Sequence, residues 1–366
     1  MTKPMLLADF TRLPPVMRAT AFDGLSALID RVAEAAPESH RFLRYQWFAA
    51  ATAAYGLRAR TLIVEHDGDP VIALPLASFG LRPARLAMVP GSYWPFRGFP
   101  AAENTGAGAF DVLVDRLGQE VNGLRIGPSY DGDLATTALI AAARRRGWTV
   151  LDRFIADSYA LDMVAAQGAE GGWPRGSTLK KNRFHEKHLA GHGELAWTFL
   201  SGTDLLAGGF DQLAAIEQKS WVAARTDGSD AKFTKEGHGA FWRQAATDPV
   251  IADMLSAALL TVEGEPATFS FDMNLGGLKY AIANSYDPAV AKHSPGKLLY
   301  YRNLVRALDD GMTTVDWGAG DSGYKSTIGA TKGSAIRDWL LLRPGAPALL
   351  GKALRGLWRR SGRLPI

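Results

Sequence analysis

Two segments of this 366-residue chain repeat one another at a fixed distance: TLIVEHDGDPVIALPLASF from Thr61 and LLTVEGEPATFSFDM from Leu259. Each has an apolar run, a Gly-acid-Pro turn (Gly68-Asp69-Pro70 and Gly264-Glu265-Pro266) and a second run of strand-compatible residues. The Gly-to-Gly and Pro-to-Pro offsets are both 196. Glycine reaches the positive φ a tight hairpin needs, and proline is tolerated at the start of a returning strand. Both segments are therefore expected to be β-hairpins.

The surroundings repeat as well. An aromatic-bearing helical segment precedes each hairpin, FLRYQWFAAATAAYG in the first half and GAFWRQAATDP in the second. After a further strand and loop, each half carries a helix that ends in Gly and leads into a strand, FDVLVDRLGQEVNGLRIG and LLYYRNLVRALDDGMTTVDWG. In the latter, Leu299, Asn303, Leu304, Ala307 and Leu308 fall at helical spacing, with Gly311 at the C-cap. A shared order of elements at a near-constant offset points to a duplicated α/β unit. The expected fold class is α/β (α+β), two tandem units, each a mixed twisted sheet flanked by helices. The first unit is expected over residues 1–165 and the second over 175–342, with the boundary in AAQGAEGGWPRGS and a tail over 343–366.

Composition narrows the chemistry. With 47% hydrophobic and 21% charged residues the chain matches a globular protein with room for two cores. It has no cysteine, which removes disulfides, thiolate nucleophiles, Fe–S clusters and Cys-based zinc sites, so catalysis must use oxygen or nitrogen groups. The formal charge of +4 gives no reason to expect DNA binding. That charge is unevenly spread: Arg343, Lys352, Arg355, Arg359, Arg360 and Arg363 stand in the tail without any acid, while the other 342 residues hold 35 basic and 37 acidic groups. An N-terminal stretch without a secretory apolar core, and no span-length apolar run, lead to an expected cytoplasmic location.

Three segments carry candidate chemistry. Ser294-Pro295-Gly296-Lys297 follows the strand LKYAIANSY and opens a helix. A helix N-terminus offers unpaired N–H groups and a positive dipole end, Gly lets backbone approach an anion, and Lys297 adds charge, so the segment reads either as a phosphate cradle or as a Ser-capped turn. The basic helix STLKKNRFHEKHLAGHGE presents Lys180 and Arg183 as candidate contacts for an anionic substrate; a solvated charged face is the alternative. Its histidines lack metal-binding spacing, and no metal site is expected. In AIEQKSWVAAR, Glu217 and Trp221 share a helix face, as a substrate-facing carboxylate or as part of a structural pair. Gly318-Ala319-Gly320-Asp321-Ser322-Gly323 formally satisfies a dinucleotide fingerprint and contains GDSG, but the βαβ unit and all-β context those motifs require are missing.

Taken in order, LKKNRFHEKHLAGHGELAWTF, EQKSW, the Gly-Glu-Pro hairpin, SPGKLL and VDWGAGDSGYKSTIGA resemble the GNAT-related acyltransferases of the BioF-like and CelD-like group, relatives of the FemAB peptidyltransferases. The resemblance runs from about residue 177 to 330, and more loosely over the first half through FLRYQWFAAA and VIALPLASF. It implies tandem GNAT-like units and transfer of an acyl group from acyl-CoA, as co-substrate rather than tightly bound cofactor, to an amine. FemAB relatives use aminoacyl-tRNA instead, and a non-catalytic binding module is a further alternative. In GNAT proteins an Arg/Gln-x-x-Gly-x-Gly/Ala loop holds the pyrophosphate. Here the best register is His293-x-x-Gly296-x-Leu298, which keeps only the first glycine. On this resemblance Asp316 and Glu217 are candidate bases, Tyr324 the acid toward the leaving thiolate, and Lys325 a phosphate or carboxylate contact; Asp316 as a loop anchor is the alternative.

The tail suggests a partner. In ALLGKALRGLWRR, Leu349, Leu350, Ala353, Leu354, Leu357 and Trp358 recur on one side, and Lys352, Arg355 and Arg359 on the other. This basic amphipathic pattern is expected either to meet an anionic membrane surface as a peripheral contact or to dock on the protein's own core. A membrane contact would bring an amphiphilic amine within reach, such as the sphingoid base of bacterial ceramide synthases, which are similar GNAT-type proteins; an amino sugar of an exopolysaccharide is the other acceptor considered.

Overall fold

The computed structural model describes residues 16–91, 96–169, 173–220, 231–321 and 323–361. Its first half supplies strands β1 (Met17–Asp23), β2 (Ala59–His66), β3 (Asp69–Phe79), β4 (Leu86–Met88), β5 (Gly123–Tyr130) and β6 (Thr149–Asp162). The second supplies β7 (Leu195–Ser201), β8 (Leu255–Val262), β9 (Glu265–Leu275), β10 (Leu278–Tyr286), β11 (Thr314–Ala319) and β12 (Thr331–Leu342). Described α-helices of five residues or more in the first half are α1 (Leu28–Glu34), α2 (Tyr45–Ala54), α3 (Ala107–Glu120), α4 (Leu134–Arg145) and α5 (Met163–Gly168). Those of the second are α6 (Gly176–Leu189), α7 (Phe210–Lys219), α8 (His238–Ala245), α9 (Pro249–Met254), α10 (Pro295–Asp309), α11 (Tyr324–Ile328) and α12 (Ala346–Arg360).

Both expected hairpins form, and their details match. The turns place Asp67 and Gly68 at φ 53° and 89°, and Glu263 and Gly264 at φ 52° and 79°. Two consecutive positive-φ residues twist in the sense that the flanking strands need. Each hairpin then bulges at the same place, between Val64 and Glu65 in one and between Leu260 and Thr261 in the other, opposite Pro70 and Pro266. A bulge beside proline relieves the ladder of a missing N–H. The helices α2 and α8 that precede these hairpins pack on each other, with the fully buried Trp47 and Trp242 rings 5.8 Å apart and Phe241 4.7 Å from Trp47. Edge-on aromatic pairs add about 0.5–1.5 kcal/mol beyond area burial, which makes this a strong joint between the halves.

Strand order across the single sheet is β1-β2-β3-β4-β5-β12-β6-β11-β10-β9-β8-β7. The last strand of each half therefore lies away from its own hairpin. β12 pairs with β5 from Ile336↔Tyr130 to Leu342↔Gly123, and β6 pairs with β11 at Thr314↔Asp162 through Asp316↔Ala160. The two exchanged strands run side by side over most of their length. Asp338, fully buried on β12, is clamped by Arg125 of β5 at 2.8 Å and Arg153 of β6 at 2.6 Å. Removing that carboxylate would leave two guanidinium groups in low dielectric without their counter-charge, typically a loss of about 3–5 kcal/mol.

Two local expectations need correction. Gly123 is not a C-cap: α3 ends at Val121 in extended conformation, and Gly123 is the first residue of β5, where an added Cβ would lie 2.8 Å from both Leu342 and Leu86 side chains. Ser294 takes φ 52°, and its side chain makes no cap bond, so the simple Ser-capped turn is not formed. Among the described residues no helix is long and apolar enough to cross a membrane.

Candidate active site

The parallel pair β10–β11 is only three residues long, joining Leu278, Lys279 and Tyr280 to Thr314, Val315 and Asp316. Beyond it, a bulge at Ala281/Ala283 keeps β10 on β9, while an irregularity between Asp316 and Ala319 carries β11 along β6. The two strands separate, and backbone that would pair in a regular sheet faces a gap. Val315 and Trp317 join the apolar cluster of Tyr300, Tyr301 and Leu304 on α10. Strand alternation therefore turns Asp316 to the opposite face.

On the α10 side the gap opens into a cavity of about 390 Å³ lined by Asn284, Ser294, Gly296, Lys297, Tyr300 and Tyr324 among others. An added Cβ at Gly296 would lie 3.3 Å from the Tyr286 ring, so glycine lets the helix start sit tight against β10. The first turn gives two of its N–H groups, those of Lys297 and Leu298, to the Ser294 carbonyl at 3.0 and 3.1 Å. Asn284 Nδ2 donates to the Tyr324 hydroxyl at 3.3 Å. Burial first, then the Asp321 and Asp272 charges, raise the Tyr324 pKa against that bond and keep its proton on at neutral pH. Tyr300 is more deeply buried, with its pKa well above the ordinary value for the same leading reason, and its hydroxyl has no hydrogen-bond partner among the described residues. A buried charge ties α10 to the sheet: Asn303 of α10 donates to Asp272 at 2.8 Å, and Lys279 lies 3.1 Å from the same carboxylate.

On the other face, residues of both halves enclose a cavity of about 370 Å³ that includes His40, Phe96, Tyr130, Asp133, Tyr280 and Asp316. Asp316 Oδ1 accepts the Gly318 N–H at 2.6 Å. Burial raises the Asp316 pKa, and the bonds from Gly318 and Tyr130 and the Lys325 charge offset only part of that rise. Such a carboxylate binds a proton more strongly than an exposed one, the property a general base requires. Across the cavity His40 Nε2 lies 2.5 Å from Asp133 Oδ2, and His40 Nδ1 lies 2.9 Å from Ser39 Oγ. Asp133 also caps α4, accepting the Thr136 N–H at 2.7 Å. Burial pushes its pKa up, but the bond and charge from His40, with Thr136, outweigh it and hold the carboxylate below its usual range.

The candidates from the sequence thus fall into separate places. Ser294, Gly296, Lys297 and Tyr324 meet in one cavity, and Asp316 lies in the other. Glu217 lines neither; it is buried, and its Oε2 accepts the N–H groups of Lys232 and Phe233 at 2.8 and 2.9 Å, which makes it a loop anchor. Trp221 lies outside the described residues. Lys325 is also committed: its Nζ donates to the carbonyls of Trp317, Ala319 and Gly320, and burial lowers its pKa to about 8 against the pull of Asp316 and Asp321. It staples the turn after β11 instead of reaching a ligand. Lys180 is exposed on α6, and Arg183 lines a separate groove with Arg302 and Arg306. His185 of α6 has its pKa lowered first by burial and then by the charges of Lys181 and Lys297.

Sequence reasoning passed over His40, Tyr130, Asp133 and Tyr280. Only Asp133 carried a local signal, an Asp immediately before a helix; His40 meets it from 93 residues away.

Residues 176–326 match the acetyltransferase (GNAT) domain family. Around it, the whole chain has the fold of FemX (12% identity, covering 89% of this chain and 97% of that one, TM-score 0.57). It is also similar in fold to the C-terminal domain of a putative lysylphosphatidylglycerol synthetase from Agrobacterium fabrum (12% identity, 91% and 95% coverage, TM-score 0.54). A conserved protein of unknown function from Bacteroides thetaiotaomicron also shares it (13% identity, 88% and 99% coverage, TM-score 0.54). No curated protein matches the sequence significantly. The fold is thus a tandem of GNAT-like units, and acyl-group transfer is the chemistry of the matched domain family.

Proposed function

We propose that the protein is an N-acyltransferase that takes an acyl group from acyl-CoA in the α10 cavity and delivers it through the β10–β11 gap to an amine in the central cavity. The observation that carries this reading is the pair of cavities on opposite faces of one strand divergence, with Asp316 on one side and Tyr324 and Lys297 on the other. The Asp316 carboxylate takes the proton of the substrate ammonium, and the freed lone pair attacks the thioester carbonyl. Collapse breaks the C–S bond, Tyr324 gives its proton to the departing thiolate, and the second proton of the adduct nitrogen passes to the Tyr324 phenolate, which resets the acid as the amide forms. Lys297 supplies charge for the phosphates of CoA. Asp131, Asp133 and Asp316, interleaved with Phe96, Tyr130 and Tyr280, suit a cationic nitrogen on a carrier with an apolar or ring-shaped body, and Ser129 and Ser334 suit its hydroxyls. A sphingoid base and an amino sugar both meet that description.

A second donor, an aminoacyl group on tRNA, is favoured by one observation: the first turn of α10 spends two N–H groups on Ser294, leaving a reduced anion cradle. Calorimetry of the purified chain with CoA and with decanoyl-CoA separates the two. Binding in the micromolar range that is lost in Lys297→Glu supports the thioester donor. Failure of both ligands to bind, with transfer from charged tRNA to an amine, would replace it.

A further inference from the structure

The tail helix α12 was open to two readings, a membrane surface or the protein's own core, and the structure divides its faces between them. Ala348 and Gly351 are buried against the sheet, and an added Cβ at Gly351 would lie 2.0 Å from Leu342 and 3.6 Å from Leu151. Trp358 packs under Arg153, whose guanidinium lies 4.0 Å from the ring centroid and whose Nη1 reaches Ser361 Oγ at 2.5 Å. Small residues and one tryptophan thus seat the helix, leaving its leucines out of the core. Leu349, Leu350, Leu354 and Leu357 are 68%, 62%, 44% and 65% exposed. At 100° per residue these four, with Ala353, cover an arc of about 140° facing away from the docked residues, with Arg360, at the last position of the helix, the only charged residue falling inside it. Lys352 and Arg359, both exposed, flank that arc on one side, Arg359 lying 3.8 Å from Asp152 of β6, and the exposed Arg355 projects from the docked side.

We infer that this leucine face of α12 inserts into the surface of an anionic phospholipid bilayer, holding the protein on the membrane as a peripheral enzyme. Charge selects the occupant. The segment from residue 343 to the end holds six cations and no acid, so a protein partner would have to be acidic and apolar in one place, while an anionic bilayer presents both layers at the spacing a flat helix needs. The inference is independent of the donor and acceptor assigned above, since α12 touches neither cavity.

Flotation of the full-length chain with vesicles of phosphatidylcholine containing 30% phosphatidylglycerol tests it, beside vesicles of phosphatidylcholine alone. The wild type is expected to float with the anionic vesicles, and the Leu350→Ser/Leu357→Ser variant to lose at least about tenfold in bound fraction while keeping its melting temperature. Lys352→Ser/Arg359→Ser is expected to weaken binding to anionic vesicles and to flatten its salt dependence. Wild-type protein that stays at the bottom of the gradient, or equal flotation of the leucine variant, overturns the inference. So does a lipid-free dimer that the leucine variant converts to monomer, which would make a second copy the occupant.

Discussion

The two halves of the molecule contain the same strand divergence and use it in opposite ways. In the first half β4 and β5 pair over Leu86–Met88 and Gly123–Arg125, in parallel, as β10 and β11 do. The chain leaving β4 then returns into the split: the Val89 N–H bonds the Arg125 carbonyl, Phe96 bridges to Ser129 of β5, and Phe99 is completely buried. Residues 89–106 separate β4 from α3, whereas only 287–294 separate β10 from α10. The longer connection supplies its own filling, and the shorter one leaves a cavity of about 390 Å³. The two copies share the scaffold down to its turns and bulges, while the length of one loop decides which copy keeps an open cavity. The filled copy contributes elsewhere, as a wall of the central cavity through Phe96, Tyr130 and Asp133.

The largest expected effect tests the open split. Asp316→Asn should lower kcat by about 10²- to 10⁴-fold, the range for a positioned general base. Because burial raises the Asp316 pKa, kcat/KM should climb with pH through a midpoint above the ordinary carboxylate value, and the asparagine variant should lack that limb. The linked stability has a definite sign: a group with a raised folded-state pKa contributes stability below its unfolded pKa and loses it as pH rises through the folded value. Asp316→Asn should therefore melt no lower than wild type at neutral pH, and a lower melting temperature would assign Asp316 a structural role instead.

Emptying the filled split comes next. Phe99→Ala should cost about 3–5 kcal/mol in urea unfolding, as a fully buried aromatic lost from a core does. Donor stoichiometry by calorimetry should stay at one per chain; a second bound CoA would show that the halves differ by filling alone. The converse, Gly296→Val, pushes a branched side chain against Tyr286 at the mouth of the open split and should weaken donor binding about tenfold or more with the fold retained. The smallest effect on turnover is expected from Glu217→Gln, within about twofold of wild type. Weakening two charge-assisted bonds to the 232–233 backbone should lower stability by about 1–3 kcal/mol.

The parts of this architecture that could be read from the sequence are those set by local chemistry. Gly-Asp-Pro and Gly-Glu-Pro specify a turn within a few residues, and the apolar spacing of Leu299 to Leu308 specifies a helix face, so the duplicated scaffold was visible. The exchange of β6 and β12 was not. Thr331 and Ala160 pair across 171 residues, and nothing in either strand names its partner. The site divided along the same line. Ser294, Gly296 and Lys297 lie on one helix start and were found together, with Tyr324 added through the family resemblance, whereas the central cavity gathers His40, Asp133, Tyr280 and Asp316 from four distant segments. Glu217 and Lys325 were misread for a common reason: a lone charged residue near a motif looks available until its backbone partners are known. The tail was recognised as amphipathic, yet which face docks was decided by Ala348 and Gly351, residues too small to register in an apolar pattern.

The strand exchange also bears on how the protein is made. While the first half emerges from the ribosome, β5 lacks its neighbour β12, and β6 lacks both of its sheet partners. The chain between Tyr130 and Thr331 must be synthesised first, on the order of 10–40 s at about 5–20 residues per second. Throughout that interval the open edge of β5 and the unpaired β6 leave backbone N–H and C=O groups exposed that another strand could pair. For the same reason a gene divided near residue 170 would yield two fragments, each missing a strand that only the other can supply.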